Sequence, residues 1–317
     1  MKIVVLDGYT LNPGDNSWDE VAALGELKVY DRTDPVEIIE RATGADVILT
    51  NKTPLTAETL ARLPALKFIG VLATGYNIVD AKAARQQNIP VSNVPIYGTD
   101  AVAEFVFSLV LNFYRQPQMH SGLVKAGEWQ KAGDFCFWKT PLAELAGKTI
   151  GIVGFGRIGR RVGEIASAFK MKVLANDSFH GNPPSFLMEW REVPDLFTES
   201  DIVSLHCNLT PENTRMVNKA LLARMKKTGY LINTSRGQLV DEADLAAALK
   251  EGQIAGAALD VVSVEPIRDD NPVYDAPNVT LTPHIAWAAL EARQRLMKIT
   301  AKNVAAFQAG KPINVVN

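Results

Sequence analysis

The sequence predicts an α/β protein built on parallel sheets, with two domains. Three observations carry this. Short apolar runs alternate with helical patterns along the whole chain. A glycine-rich turn, Gly154-Phe155-Gly156-Arg157-Ile158-Gly159, opens near the middle of the chain and not at its start. At 317 residues, the chain is long enough to bury two cores.

The first half offers strand-like runs at 2–6, 45–50, 66–72 and 90–93, with helical patterns between them, as at 35–42 and 56–63. The second half offers runs at 149–153, 172–175, 202–206, 230–234, 256–261 and 280–282, which suit a six-stranded parallel sheet. Between the halves, 101–115 is apolar on nearly every side, which predicts a helix buried all round, between domains or in a subunit interface. The segment 291–309 reads as an amphipathic helix after the last strand, placed to recross onto the first half.

Composition narrows the function classes. Net charge is −2, from 33 basic and 35 acidic residues. There is no basic stripe of the kind that tracks nucleic acid. No run approaches about 18 uninterrupted apolar residues, so no membrane span is expected. Cys136 and Cys207 lack metal or redox spacing, and no metal site is expected. They read as buried or partly buried thiols in a reducing compartment. The N-terminus, Met1-Lys2-Ile3-Val4-Val5-Leu6-Asp7, reads as a first strand and not as a signal peptide, so the cytoplasm is the expected location.

The glycine turn follows an apolar strand and opens a helical pattern through Ile158, Val162, Ile165 and Phe169. Strand, G-x-G-x-x-G, helix, strand and acid, in that order, is the dinucleotide-binding fingerprint of a Rossmann-like sheet. Gly154 permits the tight turn, Gly156 lets backbone approach a pyrophosphate, and Gly159 allows close helix–strand packing. The helix N-terminus adds N–H groups and a positive dipole. Asp177 ends the next apolar run, about 20 residues on, where an acid meets the ribose hydroxyls. A carboxylate there repels a 2′-phosphate, and neither Ser178 nor Phe179 supplies a replacing cation. NAD (NADH) is therefore expected over NADP.

Ligands bind outside the carboxyl ends of such strands. Arg236 follows the run 231–235, Glu265 follows 258–262, and His284 follows 279–283. Histidine suits proton donation near neutral pH. A carboxylate beside it fixes its tautomer and favours the imidazolium. Arginine holds a substrate carboxylate through a forked pair of bonds. The set describes reduction of a 2-keto acid to a 2-hydroxy acid.

These segments resemble the D-isomer-specific 2-hydroxyacid dehydrogenases over essentially the whole chain. Asn233-Thr234-Ser235-Arg236-Gly237, Ala258-Leu259-Asp260-Val261 with Glu265-Pro266, and Thr282-Pro283-His284-Ile285-Ala286-Trp287 look like that family's three catalytic segments. The resemblance implies that Arg236 binds substrate, Glu265 supports the histidine and His284 is the acid/base. It also implies that Asp260 holds the nicotinamide carboxamide, with Thr234 and Ala286 beside the cofactor. The stretch 205–211 resembles a cofactor-lining loop with His206, Cys207 and Asn208, where the family commonly has Pro at the position of Asn208. Ala73-Thr74-Gly75-Tyr76-Asn77 resembles the substrate-binding loop, with Thr74 and Gly75 offering N–H groups to the substrate carboxylate.

Together with 93–99, 134–138 and 284–287, this loop looks most like the glycerate dehydrogenase (hydroxypyruvate reductase) branch. The resemblance implies a cofactor domain at 100–288 inserted into a flavodoxin-like substrate domain formed by 1–99 and 289–317. It also implies a homodimer through the cofactor domain, with 101–115 and the arm through Trp138 at the interface. Trp138 then either packs in that interface or reaches the partner's substrate site. Hydroxypyruvate is the expected substrate, with glyoxylate a second. A D-lactate-type or phosphoglycerate dehydrogenase, or an NAD-sensing corepressor of the same fold, remains open.

Overall fold

The computed structural model describes residues 1–181 and 183–317. The chain divides into two compact units, one of Met1–Gly98 with Trp287–Asn317 and one of Thr99–Ala286.

The first unit holds β1 (Lys2–Val5), β2 (Glu26–Val29), β3 (Val47–Thr50), β4 (Phe68–Val71) and β5 (Val91–Ser92). They form one sheet in the order β2-β1-β3-β4-β5, every pairing parallel. This is the flavodoxin-like strand order. Side chains leave a strand on alternate faces, and β1 and β3 divide accordingly. Ile3, Val5, Val47 and Leu49 enter one core, while Val4 and Ile48 enter the other. The closing helix Leu290–Gln308 adds Leu296, Met297, Ala301 and Val304 to the first of these.

The second unit holds β6 (Thr149–Val153), β7 (Lys172–Asn176), β8 (Glu189–Trp190), β9 (Ile202–Leu205), β10 (Tyr230–Asn233), β11 (Gly256–Leu259) and β12 (Val279–Leu281). They form a seven-stranded sheet, β12-β11-β10-β9-β6-β7-β8, again wholly parallel. This is the doubly wound Rossmann order with one strand added at the far edge. The chain reverses direction across the sheet between β6 and β9, which creates the crevice where such folds bind ligands.

Three differences from expectation have physical causes. β2 escapes the sequence pattern because, as an edge strand, it keeps Glu26, Lys28 and Val29 exposed. β8 is a two-residue edge strand, too short for any periodicity. The interdomain segment forms a helix, Thr99–Arg115, but it is not buried all round. Val106, Phe107, Val110 and Tyr114 are buried, while Asp100, Glu104, Ser108 and Asn112, spaced by four, make an exposed stripe. No helix among the described residues is long and apolar enough to cross a membrane. Of the two cysteines, Cys207 is partly buried as expected, whereas Cys136 is exposed.

Candidate active site

The glycine turn joins β6 to the helix Arg157–Ala168. Gly154 has φ +93°, and a Cβ there would run into the backbone of His206 and Cys207, at the end of β9. A Cβ on Gly159 would strike the Gly154 carbonyl oxygen. The protein's own backbone therefore requires both glycines. Gly156 differs. Its φ is −74°, and a Cβ there would meet nothing within 4 Å. Nothing internal to the chain requires glycine at this position, so a bound group that needs close backbone approach explains it. The helix behind it has no side-chain cap on its N-terminal amides, which leaves these donors available to an anion. Arg157 is exposed and Ile158 half-buried on its first turn.

Asp177 stands one residue past β7. Its Oδ2 accepts from the Phe155 N–H at 2.6 Å and its Oδ1 from the Phe179 N–H at 3.0 Å. The acid thus ties its own loop to the glycine turn. Across the switch point, the His206 N–H donates to the Val153 carbonyl at 2.7 Å. The His206 ring shares a 2.8 Å hydrogen bond with Ser204 Oγ, two residues back on the same strand face. Burial pushes His206 down to about 4, so its ring is neutral at physiological pH. Burial also pushes the Cys207 thiol up. Ser235 Oγ donates to the Cys207 carbonyl at 2.7 Å, and Asn208 lies exposed beyond it. Thr234 Oγ1 is buried without a hydrogen-bond partner among the described residues. An orphaned hydroxyl at a sheet crevice carries a desolvation cost, and a polar ligand removes it. The open cradle at Gly156, the uncapped helix and this hydroxyl together fit a dinucleotide.

Adjacent strands β10, β11 and β12 carry the three candidate reactive residues just past their carboxyl ends. Arg236 is exposed, and its guanidinium donates to the Ser235 carbonyl at 2.7 Å. His284 Nδ1 lies 2.7 Å from Glu265 Oε2, and Nε2 has no partner among the described residues. His284 adopts φ +55°, a conformation that costs a side chain about 1–2 kcal/mol. Asp260 overcomes that cost. Its carbonyl accepts the His284 N–H at 2.8 Å. Its carboxylate accepts Thr282 Oγ1 at 2.7 Å and the N–H groups of Ile285 and Ala286, each at 2.9 Å. Asp260 is 1% exposed. What the structure shows for it is the holding of segment 282–286, a task the strand pattern alone did not reveal.

In the first unit, Thr74 and Gly75 follow β4. Thr74 Oγ1 donates to the Val94 carbonyl at 2.9 Å, and Asn93 Nδ2 donates to the Thr74 carbonyl at 2.6 Å. Both bonds tie this loop to residues 93–94, just past β5.

Residues 107–286 match the family model of the D-isomer-specific 2-hydroxyacid dehydrogenase NAD-binding domain. The chain belongs to the D-isomer-specific 2-hydroxyacid dehydrogenases. Relatives of this family extend the match over the full length. A hydroxypyruvate reductase of Blautia hydrogenotrophica is 49% identical, with 100% of each chain covered. A glycerate dehydrogenase of Methylorubrum extorquens is 43% identical over 99% of this chain and 98% of its own. Among solved structures, an acyclic imino acid reductase in complex with NADPH and D-Arg is similar over 100% of both chains, at 32% identity and a TM-score of 0.85. As a member of this dehydrogenase family, the chain is an oxidoreductase with an NAD-binding domain.

Proposed function

We propose that this dehydrogenase reduces hydroxypyruvate to D-glycerate with NADH, and glyoxylate to glycolate as a second reaction. The observation that carries the reading is the 2.7 Å pair of His284 and Glu265, which with Arg236 follow the ends of three adjacent strands. Full-length likeness to a hydroxypyruvate reductase and a glycerate dehydrogenase supports the substrate.

NADH, when bound, supplies the hydride. Gly154, Gly156, Arg157, Ile158 and Gly159 cradle its pyrophosphate, and Asp177 accepts from its ribose hydroxyls. His206, Cys207, Asn208, Thr234 and Ala286 would line its site, and Asp260 is assigned to the nicotinamide carboxamide. Arg236 holds the substrate carboxylate by a forked pair of charge-assisted bonds, and the N–H groups of Thr74 and Gly75 are assigned to substrate binding. His284 donates its Nε2 proton to the carbonyl oxygen as negative charge develops there. Glu265 on Nδ1 holds the ring in place. Positioned proton transfer of this kind contributes roughly 10²–10⁴-fold in rate.

The substrate domain is assigned to the first unit and the cofactor domain to the second. The protein is assigned to the cytoplasm, consistent with its two free thiols. A homodimer through the cofactor domain is supported by exposed apolar side chains on its arm. Trp129, Phe135 and Trp138 are 47%, 89% and 63% exposed in the single chain.

The test is NADH absorbance decay with hydroxypyruvate, glyoxylate, pyruvate and phosphohydroxypyruvate, repeated with NADPH. The reading predicts the highest kcat/KM for hydroxypyruvate with NADH, and D-glycerate as product. Preference for pyruvate or phosphohydroxypyruvate contradicts the substrate, and preference for NADPH contradicts the role of Asp177. No turnover with any keto acid favours an NAD-sensing protein.

A further inference from the structure

Glu265 sits on an exposed segment after β11, with Val264, Glu265 and Pro266 all exposed. A carboxylate on such a segment positions a histidine only if the segment is itself held. The hold comes from the neighbouring strand connection. The Ser263 N–H donates to Glu242 Oε1 at 2.6 Å, and the Ser263 hydroxyl donates to Glu242 Oε2 at 2.6 Å. Asn271 Nδ2 donates to the same Oε2 at 3.0 Å. One carboxylate thus grips both ends of the segment that carries Glu265. Gln238 Nε2 adds a bond to the Ser263 carbonyl at 2.8 Å. The absence of a side chain at Gly237 lets the backbones meet, since a Cβ there would run into the Val262 carbonyl and the Ser263 nitrogen.

Glu242 is the first residue of the helix Glu242–Lys250, capped by the Asp241 side chain. Its backbone is therefore fixed independently of the segment it grips. Arg236, Gly237, Gln238 and Glu242 lie on one short stretch of chain, so the stretch that presents Arg236 also clamps the support of Glu265. We propose that Glu242 is a positioning residue for the reduction, holding Glu265 against His284 through Ser263 and Asn271.

The inference rests on the acid/base reading of His284 and Glu265, and the experiment separates the two. Steady-state kinetics with hydroxypyruvate and NADH are compared for the wild type, Glu242→Ala, Glu265→Ala and the double variant. Glu242→Ala is expected to lower kcat by up to roughly 10²-fold, the scale of a misplaced catalytic group, with KM for NADH unchanged. Glu242→Gln keeps the shape and both bonds to Ser263, accepting its N–H and donating to its hydroxyl, but meets the Asn271 amide donor to donor, so it restores part of the loss. In the Glu265→Ala background, Glu242→Ala costs nothing further, because the group it positions is gone. Ser263→Ala removes one arm of the clamp and gives a smaller fall in the same direction, which keeps the test open if Glu242→Ala folds poorly. Equal losses from Glu242→Ala with and without Glu265 overturn the positioning role. So does a slow Glu265→Ala enzyme beside an unimpaired Glu242→Ala. If Glu265→Ala itself turns over normally, the acid/base reading fails and the positioning role falls with it.

Discussion

His206 shows how burial sets a protonation state at the cofactor crevice. It is partly covered at the end of β9, its ring bonded to Ser204 Oγ at 2.8 Å. Burial holds it at about 4, against an ordinary value of 6.5. The unfolded chain therefore binds a proton between about pH 4 and 6.5 that the native protein refuses. By linkage, stability is full above pH 6.5 and declines as pH falls towards 4. The group's share of that decline is at most about 3 kcal/mol. In His206→Asn, melting temperatures measured across this window should fall less steeply with acid than in the wild type. An unchanged slope contradicts the neutral, buried ring. At the same scale, much of the site was legible because its residue types are chemically unusual where they stand. Arg236, Glu265 and His284 follow apolar runs that would otherwise end in ordinary turns. Glu242 and Ser204 were not legible. An acid opening a helix and a serine inside a strand are commonplace, and only the fold reveals what they touch.

The glycine turn separates structural from functional demand within one element. Gly154 and Gly159 answer to the chain's own backbone, whereas Gly156 faces open space. Gly156→Ala should therefore leave the melting temperature close to wild type while weakening NADH by at least about ten-fold, about 1.4 kcal/mol. Gly154→Ala should instead destabilise the fold by at least about 2 kcal/mol, from positive φ and collision with the β9 connection. Calorimetry and NADH fluorescence titration read the two quantities separately, and equal behaviour of the two variants contradicts the division. Among the elements, buried strands such as β3, β6 and β9 announce themselves as apolar runs bounded by turns. β2 does not, because it is an exposed edge strand, and the Thr99–Arg115 helix misleads because its polar stripe is only one residue wide.

At the scale of the molecule, two parallel sheets share one chain that leaves the first unit at Gly98 and returns to it at Trp287. The mid-chain glycine turn hinted at this arrangement, since a cofactor sheet starting there leaves a first half with strands of its own. Strand order was legible only through the family resemblance and not through periodicity, because it depends on which edges each helix lets the next strand join. The exposed arm gives a prediction of assembly. Phe135 and Trp138 are 89% and 63% exposed in the single chain, and the proposed homodimer would cover them. Phe135→Glu with Trp138→Glu should convert a dimer to a monomer in sedimentation velocity, and a wild type that sediments as a monomer contradicts the interface. The central claim is that this molecule reduces a keto acid with His284 as its proton donor. The direct measurement is turnover of hydroxypyruvate with NADH by His284→Ala, alongside NADH affinity by fluorescence. The account predicts kcat lowered roughly 10²–10⁴-fold with NADH affinity preserved. A variant that turns over as fast as the wild type contradicts it.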